Sequence, residues 1–247
     1  MRVIDYLQRI GMGSISEANY KNLHALQKSH MYSIPFENLD VLNGVPIIPN
    51  VEKIYEKVIK RKRGGFCYEL NGLFHWLIVQ LGYEASLVSA TVQIDDDKWS
   101  PVGSHASIIV YLDQPYLIDV GFGDSFRQPL PLTGEEYTDV SGTYRVVKLE
   151  EESFELQKKD RNGWRTQFRF TTEGKALYEF EEMCHYNQTS PDSHFTRNRI
   201  VTIATNAGRI TLSDDSLTIT VREAKTKKSI QEAEVKGLLR EYFAIIL

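Results

Sequence analysis

Three side chains in this sequence are spaced so that they could act together as a nucleophilic set: Cys67, His105 and Asp119. Cys67 stands in RGGFCYELN (63–71), just ahead of Leu70, Leu73, Phe74, Leu77, Ile78 and Leu81. Their spacing predicts a helix over 70–81, stopped by Gly82. The cysteine then falls at or just before the first turn, behind a Gly-Gly pair that lets the backbone bend. Free N–H groups and the partial positive charge of a helix start favour a thiolate. At a pKa of roughly 8.5 only about 3% of a thiol is ionised at neutral pH. A fall of about two units, about 2.7 kcal/mol of differential stabilisation, would ionise most of it.

Such a thiol needs a base within hydrogen-bond reach and a third group to orient the base. His24 and His30 flank a helical segment, and His75 lies two turns along the cysteine's own helix, about 12 Å away. His105 opens the apolar run HASIIVYL (105–112), and the hairpin partner PYLIDVGF (115–122) contains Asp119. If Tyr111 pairs with Pro115 around a three-residue turn, Asp119 faces Ser107 and His105 is its diagonal neighbour on the same face, roughly 7–8 Å away. A two-residue turn would put them on opposite faces, so a Cys-His-Asp triad requires the odd loop or a bulge. Gly121 and Gly123 follow the acid as a Gly-rich turn that could offer N–H groups to an acyl oxygen or a pyrophosphate. The pattern is not a dinucleotide fingerprint, because the third glycine and the following helix are missing. Cys184, His185 and His194 lack zinc spacing, and no metal is expected.

The elements that must hold these groups change character along the chain. The first 80 or so residues read as helical: Ile4, Tyr6, Leu7 and Ile10, then a helix capped within 16–19, then Val51 to Ile59. IPFENLDVLNG (34–44) breaks the periodicity. The tract KRKR (60–63) reads as a solvated face, and DDD (95–97) as a loop tip. Short β-type runs at 86–94, 105–112, 115–122, 143–149, 153–159 and 166–170 indicate a rolled sheet. The last part mixes a helix at 176–187, strands at 199–205, 209–213 and 217–223, and a closing helix near 230–243. The formal net charge of −4 gives no electrostatic case for nucleic acid. Two cysteines cannot build a disulfide framework, no stretch approaches a membrane span, and the first residues lack a signal-peptide core. A cytoplasmic protein is expected, with no membrane partner.

Taken together, IPFENL (34–39), RGGFCYELN (63–71), the His105 strand, DVGFG (119–123) and QTSPDSHF (188–195) resemble the arylamine N-acetyltransferases nearly end to end. The resemblance implies an α+β fold in three parts: an N-terminal helical bundle (1–84), a central β-barrel (85–175) and a C-terminal α/β lid (176–247). The thiol core would be of the kind found in cysteine proteases and transglutaminases. It implies that Cys67 is the acetylated nucleophile, His105 the general base and acid, and Asp119 its orienter. Phe36, Phe66, Phe122 and Val92 would line an aromatic acceptor pocket; Gly123, Ser193, His194 and Phe195 would contact coenzyme A. Acetyl-CoA would be the donor cosubstrate and an arylamine or hydrazine the acceptor, in a ping-pong cycle. The lid is short for that family. Three other readings stand beside it: an amide synthase of the same fold acting on carrier-bound thioesters, a thiol hydrolase with water as acceptor, and a non-catalytic coenzyme A binder.

Overall fold

In the computed structural model, which describes residues 1–222 and 224–247, helices and a strongly curved antiparallel sheet share one apolar core. The amphipathic segment near the N-terminus forms the helix Val3–Arg9, burying Tyr6 and Leu7. Tyr20–Ser33 follows, and Asn19 caps it by accepting from the Asn22 N–H at 2.9 Å. Val51–Tyr55 runs on into a π-helical turn, Glu56–Lys60.

The nucleophile's helix is Cys67–Gln80, so Cys67 is its first residue. Glu69 reaches back to accept from the Phe66 N–H at 3.1 Å, which is half of a capping box. The far end closes as a Schellman motif: Tyr83 N–H donates to Ile78 O, Gly82 N–H donates to Val79 O, and Gly82 has φ +89°. The Gly-Gly pair before the cysteine serves close approach rather than a left-handed bend. A Cβ on Gly64 would stand 2.0 Å from Pro35 O, and one on Gly65 would stand 2.6 Å from Glu69 Oε2.

The central sheet runs Leu130–Pro131, Pro115–Ile118, His105–Tyr111, Glu84–Asp95, Gly163–Lys175, Ser153–Asp160, Gly142–Glu150 and Tyr137–Asp139, every pair antiparallel. Leu130–Pro131 comes back against Gly142–Glu150, so the sheet is a nearly closed barrel. It encloses Phe126, Tyr144, Phe154, Phe168 and Phe170. A second sheet takes Phe36–Glu37 as one edge and continues through Val201–Thr205, Gly208–Leu212, Ser216–Val221 and Ala224–Ser229. The helix Glu232–Phe243 packs on it through Val235, Leu238, Leu239 and Phe243.

Several boundaries differ from the sequence reading. The run 115–122 stays a strand only to Ile118, because beyond it the chain turns to bring Asp119 back toward the sheet. The helix expected over 176–187 begins as a 3₁₀ turn, Leu177–Phe180, and continues as Glu181–Thr189. The strand expected over 217–223 is Ser216–Val221, and its last expected position, 223, lies outside the described residues. Ala224–Ser229 is an unforeseen strand whose six residues are all exposed. The KRKR tract is not wholly a solvated face: Arg63 is bonded between Glu37 and Asp40.

Candidate active site

Strand register decides whether His105 and Asp119 can meet. Tyr111 pairs with Pro115 and Ile108 with Ile118, the register of a three-residue turn at 112–114. Ser107 then lies opposite Asp119, and its hydroxyl donates to Ile118 O at 2.9 Å and to Asp119 Oδ2 at 3.2 Å. His105 Nε2 donates to the same Oδ2 at 2.6 Å. A carboxylate only accepts, so this bond puts the proton on Nε2 and leaves Nδ1 as the basic nitrogen. The other oxygen, Oδ1, accepts from Gly121 N–H at 2.8 Å and from Asn71 Nδ2 at 3.0 Å. Four donors thus fix a carboxyl group that has no exposure to solvent.

Asn71 ties this acid to the nucleophile's helix. Its Nδ2 also donates to Ala106 O at 2.6 Å, and its Oδ1 accepts from Val120 N–H at 2.9 Å. Asn71 lies one turn beyond Cys67, so a single side chain links the helix, the His105 strand and the DVGFG turn. The residues flanking His105 both reach the thiol: Ser104 O lies 4.0 Å from Cys67 Sγ, and the Ala106 N–H faces the sulfur. Cys67, His105 and Asp119 are therefore brought together in one buried place.

Burial pushes the Cys67 thiol well above its ordinary range, and the Ala106 and Tyr68 N–H groups oppose that shift without offsetting it. The helix start favours ionisation of this thiol, and its burial opposes it. At 3% exposure, loss of solvation disfavours the charged sulfur. A thiolate here needs a cation beside it, and passing the proton to His105 creates one.

The imidazole is caged by aromatic rings. Phe122 and Phe168 lie 5.2 and 5.1 Å from it, centroid to centroid, and 5.3 Å from each other. Phe168 escaped the sequence reading because it sits 63 residues beyond His105; only the pairing of Phe168 with Val92 brings it there. The loop before His105 is likewise held by residues not foreseen. Tyr68 Oη donates to Gly103 O at 2.8 Å, and Asn187 Nδ2 donates to Ser104 O at 3.3 Å.

From this cage a cavity of about 620 Å³ extends between the barrel and the second sheet. Phe36, Phe122, Gly123 and Phe195 line it, with Thr202, Thr211, Thr218 and Thr220 on the sheet side. Five further lining residues, Arg127, Lys158, Arg209, Arg222 and Lys225, are cationic, and Asp124 bonds to two of them, Arg209 at 3.1 Å and Lys158 at 3.5 Å. The four remaining expected contacts stand off this wall. Phe66 is fully buried, edge-on to Tyr68 and Phe195. Val92 packs with the barrel core. Ser193 is buried; its hydroxyl donates to Asn187 O at 2.8 Å and caps the turn His194–Arg197. His194 is exposed beside Asn198. Among the described residues no group of three or more His, Cys, Asp or Glu could hold a metal ion, and no helix is long and apolar enough to cross a membrane.

Comparison with known proteins places this geometry in a family. A family profile described as N-acetyltransferase matches residues 19–247. The arylamine N-acetyltransferase of Mycolicibacterium smegmatis is 33% identical over 222 residues, covering 87% of this chain and 80% of that protein. The structure of Mycobacterium marinum arylamine N-acetyltransferase in complex with CoA superposes with a TM-score of 0.91 at 30% identity, covering 99% of this chain and 93% of the other. An arylamine N-acetyltransferase from Bacillus cereus, described as having a Cys-His-Glu triad, superposes with a TM-score of 0.92 at 26% identity over 98% of both chains. The chain belongs to the arylamine N-acetyltransferase family.

Proposed function

We propose that this protein moves an acetyl group from acetyl-CoA to an arylamine or hydrazine through an acetyl-Cys67 intermediate. The observation that carries this reading is the buried Cys67 set against the backbone on both sides of His105, whose ring is bonded to Asp119, near an aromatic-lined cleft. His105 Nδ1 takes the thiol proton, and the sulfur attacks the thioester carbonyl carbon. Backbone N–H groups at the helix start face the developing oxyanion. The bond to coenzyme A breaks, and its sulfur leaves with the proton from His105. An amine then attacks the acetyl carbon, His105 accepts the amine proton, and the proton returns to the departing Cys67 sulfur. Asp119 keeps the imidazole in the tautomer that both half-reactions use.

The cleft suits both substrates. Phe36, Phe122 and Phe195 offer apolar faces to a flat ring, whose burial is worth roughly 25 cal/mol per Å². Lys158, Arg209, Arg222 and Lys225 supply cations for the phosphates of coenzyme A, and the threonine hydroxyls of the second sheet supply hydrogen bonds for its polar arm. An arylamine is weakly basic and neutral near pH 7, so His105 has only to accept the proton released as the new bond forms. We place the protein in the cytoplasm, where two buried free cysteines persist reduced.

Intact-mass measurement after mixing with acetyl-CoA alone tests the reading. One added acetyl group mapped to Cys67, and discharged by an arylamine, is the expected result. A Cys67→Ala protein that still transfers acetyl groups would overturn it. Acetyl-Cys67 discharged by water as fast as by amines would favour a thiol hydrolase, and loading from carrier-bound thioesters alone would favour an amide synthase.

A further inference from the structure

Five charged side chains form a chain of contacts beneath the first turn of the Cys67–Gln80 helix. Arg63 Nη2 lies 2.8 Å from Glu37 Oε1 and 2.9 Å from Asp40 Oδ1. Lys57 Nζ lies 2.8 Å from Asp40 Oδ2 and 2.8 Å from Glu69 Oε1. Three carboxylates thus share two cations. The side chains of Glu37, Glu69 and Lys57 are 0%, 2% and 6% exposed, so water cannot settle the imbalance. Glu69 is the member that reaches the site: its Oε2 accepts from the N–H of Phe66, the residue before the nucleophile. The fit around that carboxylate is close, since Gly65 must lack a Cβ to make room for it.

We propose that Glu69 is a positioning residue for Cys67. Its carboxylate, gripped by Lys57, fixes the Phe66 N–H and with it the backbone turn that projects the thiol. The surplus carboxylate makes that grip depend on one exchangeable proton. The inference rests on the reading of Cys67 as nucleophile. An ionised Glu69 holds the amide by a charge-assisted bond, and a protonated one by a weaker neutral bond.

The groups facing Glu69 are Lys57 on the π-helical turn, Glu37 on its short strand, Asp40 on the turn Leu39–Leu42 and Cys184 on Glu181–Thr189. Lys53, Glu56 and Arg61 stand around a cavity of about 230 Å³ that Glu69 also lines. Burial raises the Glu69 carboxyl to about 7, against the pull of Lys57. Although burial disfavours its charge, Lys57 is held at about 12 by Glu69, Glu37 and Asp40. The proton in question is therefore exchanged near neutral pH.

The test measures two rates at Cys67 on either side of pH 7 in the wild type and in Glu69→Gln: alkylation by iodoacetamide, and single-turnover acetylation by acetyl-CoA. Glutamine offers a neutral carbonyl at every pH. The ratio of wild-type to variant rate is expected to rise with pH through about 7 and to level off about tenfold higher. Asp40→Asn leaves two carboxylates for two cations, so Glu69 ionises more readily and the midpoint of the rise moves to lower pH. A purely structural role would lower both rates by one factor at all pH values. A flat ratio, or a midpoint that Asp40→Asn leaves in place, overturns the proposal. If Glu69→Gln does not fold, the ratio of Asp40→Asn to wild-type rates decides alone: it peaks just below pH 7 if the Glu69 proton governs the grip, and a flat ratio overturns the proposal. Alkylation keeps this test separate from the proposed function: a protein that acetyl-CoA never labels, yet whose alkylation ratio rises as described, refutes that function and supports the positioning role.

Discussion

Gly121→Ala is a one-carbon change with a large expected effect. A Cβ at Gly121 would stand 2.8 Å from Asn71 Nδ2, 2.9 Å from Cys67 Cα and 3.0 Å from Cys67 O. Two of these atoms are the nucleophile's own backbone, and the third belongs to a side chain fixed by three hydrogen bonds. None can yield alone, so the DVGFG turn and the helix start must separate by several tenths of an ångström. Overpacking of this kind costs about 1–3 kcal/mol, and three simultaneous contacts argue for the upper half, about 2–3 kcal/mol. At about 2–4 °C per kcal/mol for a chain of this size, the melting temperature should fall by about 4–12 °C. A misplacement of about 1 Å costs about 100-fold in rate, so a shift of about half that should slow Cys67 acetylation about tenfold. The matched control is Gly237→Ala, inside the helix Glu232–Phe243, where an added Cβ meets nothing within 4 Å. Helix propensity should stabilise that variant by about 0.8–1 kcal/mol, raising its melting temperature by about 2–4 °C. Thermal melts and single-turnover acetylation read both effects. A Gly121→Ala protein that melts within about one degree of wild type and acetylates at the wild-type rate would refute the packing argument.

Asp119→Asn puts an amide nitrogen among four donors and upsets the tautomer of His105, so Cys67 acetylation should slow by about 10³-fold or more; unchanged single-turnover kinetics would exclude the orienting role. Burial holds His30 down at about 3, from 6.5, as a neutral imidazole bonded to Tyr6 Oη at 2.6 Å. Its folded pKa is depressed, so the stability it protects is complete above about 6.5 and is lost as pH falls toward about 3, by about 1.4 kcal/mol per pH unit. His30→Gln should flatten that acid limb in melts taken against pH, and an unchanged slope would count against it. Arg127 donates to Thr205 O and Gly208 O, joining the barrel side to the second sheet. Arg127→Met should cost about 3 kcal/mol and raise the KM for acetyl-CoA more than it lowers kcat; steady-state kinetics and a melt check both.

The parts of the site legible in the sequence were those set by local pattern. The cysteine's place at a helix start followed from apolar spacing over a dozen residues, and the meeting of His105 with Asp119 followed from counting residues around one hairpin. What depended on distant pairing was not legible. Phe168 reaches the imidazole through register with Val92, and Arg63 finds Glu37 and Asp40 only because Phe36 and Gly65 form a bridge. Burial was hidden as well: a helix start favours a thiolate, and the desolvation that opposes it has no signature in nine residues. Ala224–Ser229 was missed because AKTKKS has no large apolar residue to alternate, as suits an edge strand whose lysines discourage pairing with another chain.

The two-residue strand Phe36–Glu37 has a kinetic consequence. It pairs with Val201–Thr205, whose residues leave the ribosome roughly 165 positions later. At about 5–20 residues per second, Phe36 and its neighbours wait about 8–33 s for their partner strand. During that interval the Cys67 helix can form from local contacts, while the sheet that walls its cleft has yet to be made. A nascent chain would therefore carry its cysteine through synthesis before it could hold a thioester in place.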